Sequence, residues 1–215
     1  MNPSNHKTPD LHHRRSIRLK EYDYAQAGAY FITICTHQRE NLFGEIADGV
    51  MILNEFGQIA HEEWHKTALI RGEIDLDEFV IMPNHFHGII WIMDGRGTAR
   101  RAPTTTRRAP TTPPAPATPR APTSALGESS ADFTPTHEQF GKPIVGSIPT
   151  IVRAFKSAVS RRINLSRCTP GNPVWQRNYW EHIVRDEKDL YNAQAYILNN
   201  PIQWENDRYY SGGTK

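Results

Sequence analysis

The sequence predicts an α+β fold of the ferredoxin-like kind: a β-α-β-β-α-β order, giving an antiparallel sheet with helices on one face. Three observations predict it. Short β-branched and aromatic runs recur at residues 28–36, 78–82, 85–93 and toward 184. Apolar stripes at helical spacing fall between the first and second runs and between the third and fourth. Only Pro83-Asn84 separates the second run from the third, so those two strands pair antiparallel through a tight connection.

Gly28-Ala-Tyr-Phe-Ile-Thr-Ile-Cys-Thr36 reads as the first strand, and Phe43–Ile46 and Val50–Leu53 as short strands around the turn signal Asp48-Gly49. Asn54 caps a helix whose apolar stripe is Phe56, Ile59, Ala60, Trp64 and Ala68. Glu78–Met82 and His85–Met93 are the next strands. Ser147 and Pro149 open a second helix, with Ile148, Ile151, Phe155, Ala158 and Val159 on its buried side. Its other faces carry Arg153, Lys156, Arg161 and Arg162, either a solvated surface or a rail for phosphates. Residues 174–184 read as a turn followed by a strand. Asp186 caps a last helix running through Leu190, Ala193 and Ile197, which must stop near Asn200 because Pro201 disfavours helical geometry before it.

A chain of 215 residues suggests one domain with appendages, and its 38% hydrophobic content is low for a fully folded chain of that size. The 16 prolines mark the deficit, clustering in a degenerate repeat of Pro, Ala, Thr and Arg. That composition cannot bury enough apolar surface to offset chain entropy. The expected organisation is a basic flexible arm over 1–20, one folded domain from 21–94 and 141–208, a disordered insertion over 95–140, and a frayed tail over 209–215. The arm is either a solubilising tail or a segment that lies along phosphates. Net charge is only +2, so local fields matter more than the total. Cys35 and Cys168 form neither a disulfide framework nor a zinc spacing. With no signal segment and no apolar run long enough to span a bilayer, a cytoplasmic protein without membrane contact is expected.

The chemistry centres on His85-Phe86-His87. On a strand, residues two apart share a face, so both imidazoles project together while Phe86 points into packing. Two parallel imidazoles make half of a divalent metal site, or, read blandly, one packed ring and one wet one. The last helix carries Tyr196 with Asn200 four residues later on the same face. Together they offer a nucleophile and a third neutral ligand, or, read blandly, Tyr196 is a packed amphipathic ring near a helix end, and Tyr191, Tyr179 and Tyr209 compete for the role. A phenol, with a pKa near 10, needs a nearby cation or base to attack at neutral pH. Trp175, Tyr179 and Trp180 are aromatics able to stack on bases, with at least one of the two tryptophans expected in the core.

Met82-Pro-Asn-His-Phe-His87 with the apolar strand after it, Trp175-Gln-Arg-Asn-Tyr-Trp-Glu-His-Ile-Val-Arg185, and Tyr196-Ile-Leu-Asn-Asn-Pro201 resemble the single-tyrosine HUH transposases. The Tyr-Ile-x-x-Asn-Pro form is most similar to the REP-associated tyrosine transposases. The resemblance runs from about Arg14 to Arg208 outside the insertion. It implies that His85, His87 and Asn200 bind Mg²⁺ or Mn²⁺, and that Tyr196 attacks a phosphodiester of single-stranded DNA to form a 5′-phosphotyrosine. Imperfect DNA hairpins near repeats are the implied substrate, and Arg153, Lys156, Arg161, Arg177 and Trp175 the expected DNA contacts. Insertion-sequence members of the superfamily act as homodimers and the REP-associated branch can act as monomers, so both states stay open. The competing expectation is a non-catalytic nucleic-acid-binding protein on the same fold.

Overall fold

The structure, a computed structural model, describes residues 22–93 and 144–210. The expected basic arm over 1–20 and the insertion over 95–140 lie outside the described residues. The elements are β1 (Gly28–Cys35), β2 (Gly44–Ala47), β3 (Val50–Leu53), α1 (Glu55–Leu69), β4 (Ile74–Met82), β5 (His85–Ile92), α2 (Ile148–Ser166), β6 (Trp180–Val184) and α3 (Glu187–Asn199). A four-stranded sheet has the order β4-β5-β1-β6 with every pair antiparallel, and β2 and β3 form a separate hairpin. Without that hairpin, the strand order is the ferredoxin-like one the sequence predicts.

Strand parity divides the sheet into two faces. Tyr30, Ile32 and Ile34 of β1 stand opposite Ile90, Gly88 and Phe86 of β5 and meet α1 and α2 in the main core. Trp64, Phe86 and Phe155 pack together at its centre with ring centres 4.6 to 5.3 Å apart, Trp64 and Phe155 edge to face. Gly88 makes this possible: a Cβ there would sit 2.8 Å from the rings of both Trp64 and Phe86. The predicted caps of α1 and α3 form. Asn54 Oδ1 accepts from the amides of Phe56 and Gly57, and Asp186 Oδ1 from that of Asp189. Ser147 stands at the α2 cap position but uses its hydroxyl differently, donating to the Ile144 carbonyl 2.8 Å away. Helices α1 and α2 thus share one face, as expected.

The last helix covers the other face. Ala29, Phe31 and Ile89 pack there against Leu190 and Ile197 of α3. A β-bulge ties α3 in place. Between the pairs Leu76–Ile90 and Phe79–Gly88 the β4 register slips, because Asp77 and Glu78 together oppose Ile89. The extra residue turns the Asp77 carboxylate toward α3, where it accepts from Gln194 Nε2 at 2.8 Å and Trp91 Nε1 at 2.9 Å. The bulge also explains why β4 begins at Ile74, four residues before the expected start: the extra residue hides the period of two.

The chain after α3 departs from expectation. The tail from 209 was expected to fray, yet Tyr209 is buried, as is Trp204 just before it. Both rings pack beside Met82 and over the imidazole of His85. Apolar area on two aromatics outweighs the polar character of the residues between them. Residues 211–215 lie outside the described residues. The α3 anchor gives a direct test: Asp77→Ala removes an acceptor shared by an indole and a carboxamide. It should lower the unfolding free energy by about 1–3 kcal/mol in urea titration.

Candidate active site

His85 and His87 point from β5 to the α3 face with both side chains fully buried and ring centres 4.6 Å apart. Each ring is tied at Nδ1. His85 Nδ1 lies 2.9 Å from Asn84 Oδ1, an acceptor, so Nδ1 carries the hydrogen. His87 Nδ1 lies 2.8 Å from the Thr33 hydroxyl, its cross-strand neighbour on β1. The two Nε2 atoms are buried and have no hydrogen-bond partner. Orientation at one nitrogen with the other left free is the arrangement of metal-ligating histidines.

The remaining polar groups come from α3 and the segment after it. Asp207 brings a carboxylate oxygen into a cluster with the two imidazoles, all three ligand atoms lying within 4.8 Å of one another. Its Oδ2 accepts from Tyr196 Oη at 3.1 Å and from Asn200 Nδ2 at 2.9 Å. Asn200 is the buried C-cap of α3, and its Oδ1 is the third orphaned polar atom here. It sits close enough to His85 to favour the imidazolium, yet outside hydrogen-bond geometry. The Tyr196 ring packs edge-on against His87, 5.1 Å between centres, with its hydroxyl on an open cleft of about 440 Å³ that Asn200, Asp207 and Arg208 also line. The Tyr196 phenol and both imidazoles belong to a single chain.

Leaving three buried polar atoms unpaired is costly, on the order of 1–3 kcal/mol each. A divalent cation would satisfy two imidazole nitrogens, a carboxylate and an amide oxygen together, and mixed N/O donors suit such an ion. The donor set therefore fits a metal. Electrostatics agree. Burial pushes the His85 imidazolium pKa down to about 4, with Asp207 opposing and Arg208 assisting. Burial also holds His87 well below the usual histidine range, with His85 and Arg208 adding to it. Both rings are thus neutral at neutral pH. Burial first, then the Asp207 charge and hydrogen bond, push the Tyr196 phenol up to about 12.

The five expected DNA contacts lie outside this cluster. Trp175 is a core residue, its ring against Phe43 and Phe155, because it lies in the arm that crosses the end of the helical layer. Lys156 is occupied: its Nζ donates to the carbonyls of Gln176 and Arg177, and burial lowers its pKa to about 8. Arg153 and Arg161 are exposed on α2, across the sheet from the histidines, and Arg177 is exposed on the segment leading into β6. Asp207, Asn84 and Thr33 were not singled out from the sequence. Asn84 adjoins the histidine pair and Thr33 falls on the right face by strand parity, but no spacing connects Asp207 to them.

No protein-family model matches the chain. A Haemophilus influenzae protein without an assigned function is 39% identical over 200 residues, covering 93% of this chain and 94% of that one. A second Haemophilus influenzae protein, provisionally named a REP-associated tyrosine transposase, is 53% identical over 30 residues, 17% of its length. Among solved structures, a REP-associated tyrosine transposase bound to a REP hairpin aligns with TM-score 0.47 and 17% identity, over 88% of this chain and 72% of that one. A provisionally assigned transposase from Deinococcus radiodurans aligns with TM-score 0.40 and 16% identity, over 86% and 97%.

The imidazoles also set a pH dependence. Their pKa values are depressed in the fold, so below about 6.5 the unfolded chain binds more protons than the native one. Stability should fall as pH drops below about 6.5, for His85 down to about 4, because in that window the unfolded imidazoles take up protons that the buried rings do not. Urea unfolding across pH in the presence of chelator measures this, and His85→Gln should flatten the slope.

Proposed function

We propose that this chain, which belongs to the family of its full-length Haemophilus influenzae relative, nicks and rejoins single-stranded DNA as a single-tyrosine HUH transposase does. The observation that carries this is the contact cluster within one chain in which Asp207 joins the buried His85 and His87 to Tyr196 and Asn200. The motif resemblance supplies the DNA hairpin as substrate class, and the site supplies the chemistry.

In this reading Tyr196 Oη attacks the phosphorus in line. The Oη–P bond forms as the bond from phosphorus to the 3′ oxygen breaks. Asp207 Oδ2 already accepts the Tyr196 hydroxyl hydrogen, so it is placed to take the proton. The leaving oxygen takes a proton from solvent and departs as a 3′-hydroxyl, while the 5′ side stays on the tyrosine. One phosphodiester replaces another, so a 3′-hydroxyl can reverse the step onto a different strand without ATP. His85 and His87 would hold Mg²⁺ or Mn²⁺ through Nε2, with Asp207 and Asn200 Oδ1 completing the protein ligands. The cation would neutralise charge on the phosphoryl oxygens and lower the cost of ionising the phenol. The chain's own residues supply orientation: Thr33 and Asn84 fix the rings, and Phe31 and His87 fix the Tyr196 ring edge-on. The fold without these functions would be a binding protein, for which a buried pair of partnerless imidazoles has no use.

Incubation with a labelled single-stranded DNA hairpin and Mn²⁺, resolved on a denaturing gel, tests the proposal. A protein–DNA adduct should form, vanish in Tyr196→Phe and with chelator, and persist in Tyr191→Phe, whose ring is exposed elsewhere on α3. Salt-sensitive binding that ignores both chelator and Tyr196→Phe would instead identify a non-catalytic DNA-binding protein.

A further inference from the structure

Two arginines beside the cluster have no part in the reaction above. Arg39 lies in the tight turn His37–Arg39 after β1, and Arg208 follows Asp207. Their guanidinium carbons lie 5.3 Å and 4.6 Å from the centre of one ring, that of Tyr209. That ring centre is itself 4.7 Å from the His85 ring. Arg208 also donates to the Tyr209 hydroxyl and reaches over the exposed Trp180 ring at 5.9 Å. Arg71 and Arg162 are paired with carboxylates. Among the described residues Arg39 and Arg208 have no such pair, and both are exposed.

The backbone holds Arg39 at a cost. Gln38 and Arg39 have φ of 54° and 59°, the left-handed region that a residue with a Cβ disfavours by roughly 1–2 kcal/mol. Flanking bonds enforce it: His37 N to the Val174 carbonyl at 2.8 Å, and the Thr36 hydroxyl to the Glu40 and Asn84 carbonyls. Strain of this kind persists only where its surroundings over-determine it, and it gathers at functional sites. Asn84 is the link. Its Nδ2 donates to the carbonyls of Arg39 and Tyr209, while its Oδ1 accepts from His85. One buried carboxamide therefore registers both arginine-bearing segments against the imidazole.

Two guanidinium groups without a carboxylate partner, both over the Tyr209 ring beside a cluster with one carboxylate, leave a positive excess there. A guanidinium's planar fork matches two phosphate oxygens at once. We propose that Arg39 and Arg208 form a phosphate clamp that seats the DNA backbone against Tyr196, His85 and His87. The substrate rests on the DNA-cleaving reading above; the clamp adds which residues hold its phosphates.

Binding of a fluorescent single-stranded oligothymidylate to the full chain carrying Tyr196→Phe, measured across salt concentrations, tests the clamp without bond cleavage. Arg39→Ala and Arg208→Ala should each lower the slope of log affinity against log salt by about 0.7, one phosphate contact on a single strand. Arg39→Lys and Arg208→Lys should keep the slope, which a merely misfolded variant would not. Lys66→Ala on α1, across the sheet, should keep it too. An unchanged slope in either alanine variant, or an equal loss in Lys66→Ala, overturns the clamp. A wild-type chain that forms no adduct refutes the transesterification and leaves this slope to decide the clamp. An adduct with unchanged slopes refutes the clamp alone.

Discussion

The structure depends on two imidazoles buried side by side with their Nε2 atoms unpaired. Burial keeps both rings neutral, and Asn84 and Thr33 hold each by its other nitrogen. A core that needed only packing would place apolar residues here, as the opposite face of β5 does with Phe86 and Ile90. The free nitrogens explain why Asp207 and Asn200 gather over β5, and why Tyr196 and Tyr209 close around the same rings. The site is a set of lone pairs looking for a cation, roofed by phenols and guanidinium groups.

Holding that set together in one chain is the task of α3. The helix must lie across the sheet face so that Tyr196 meets His87, and two features fix its pose. Leu190 and Ile197 bury against Ala29, Phe31 and Ile89, which sets the distance. The Asp77 bulge sets the rotation and slide by binding Gln194, two residues before Tyr196. After Pro201 the chain returns, and Trp204 and Tyr209 lock Asp207 between them. The geometry of the cluster is a consequence of a register slip in β4 and two aromatics in a polar tail.

Much of this was legible in the sequence, for physical reasons. Period-two parity put His85 and His87 on one face and Phe86 on the other, and helical spacing put Tyr196 and Asn200 together. Asn54 and Asp186 marked their helices by side-chain capping. The failures share a different cause, long-range packing. Trp175 and Trp180 are five residues apart in one motif, yet the first fills the core and the second is exposed, because the segment turns between them before joining β6. Lys156 looked free on a helical wheel until the 176–177 carbonyls met it. Asp207 sits among polar residues with no periodicity to mark it. Trp204 and Tyr209 were the available sign that the tail was not loose.

Diffraction at the manganese absorption edge from crystals of the Mn²⁺-bound chain addresses the convergence most directly. An anomalous peak should lie within bonding distance of Nε2 of both His85 and His87 and of Asp207 or Asn200, with Tyr196 of the same chain facing it. A peak elsewhere, or none at saturating metal, would contradict the assignment of these residues to a metal-assisted tyrosine site.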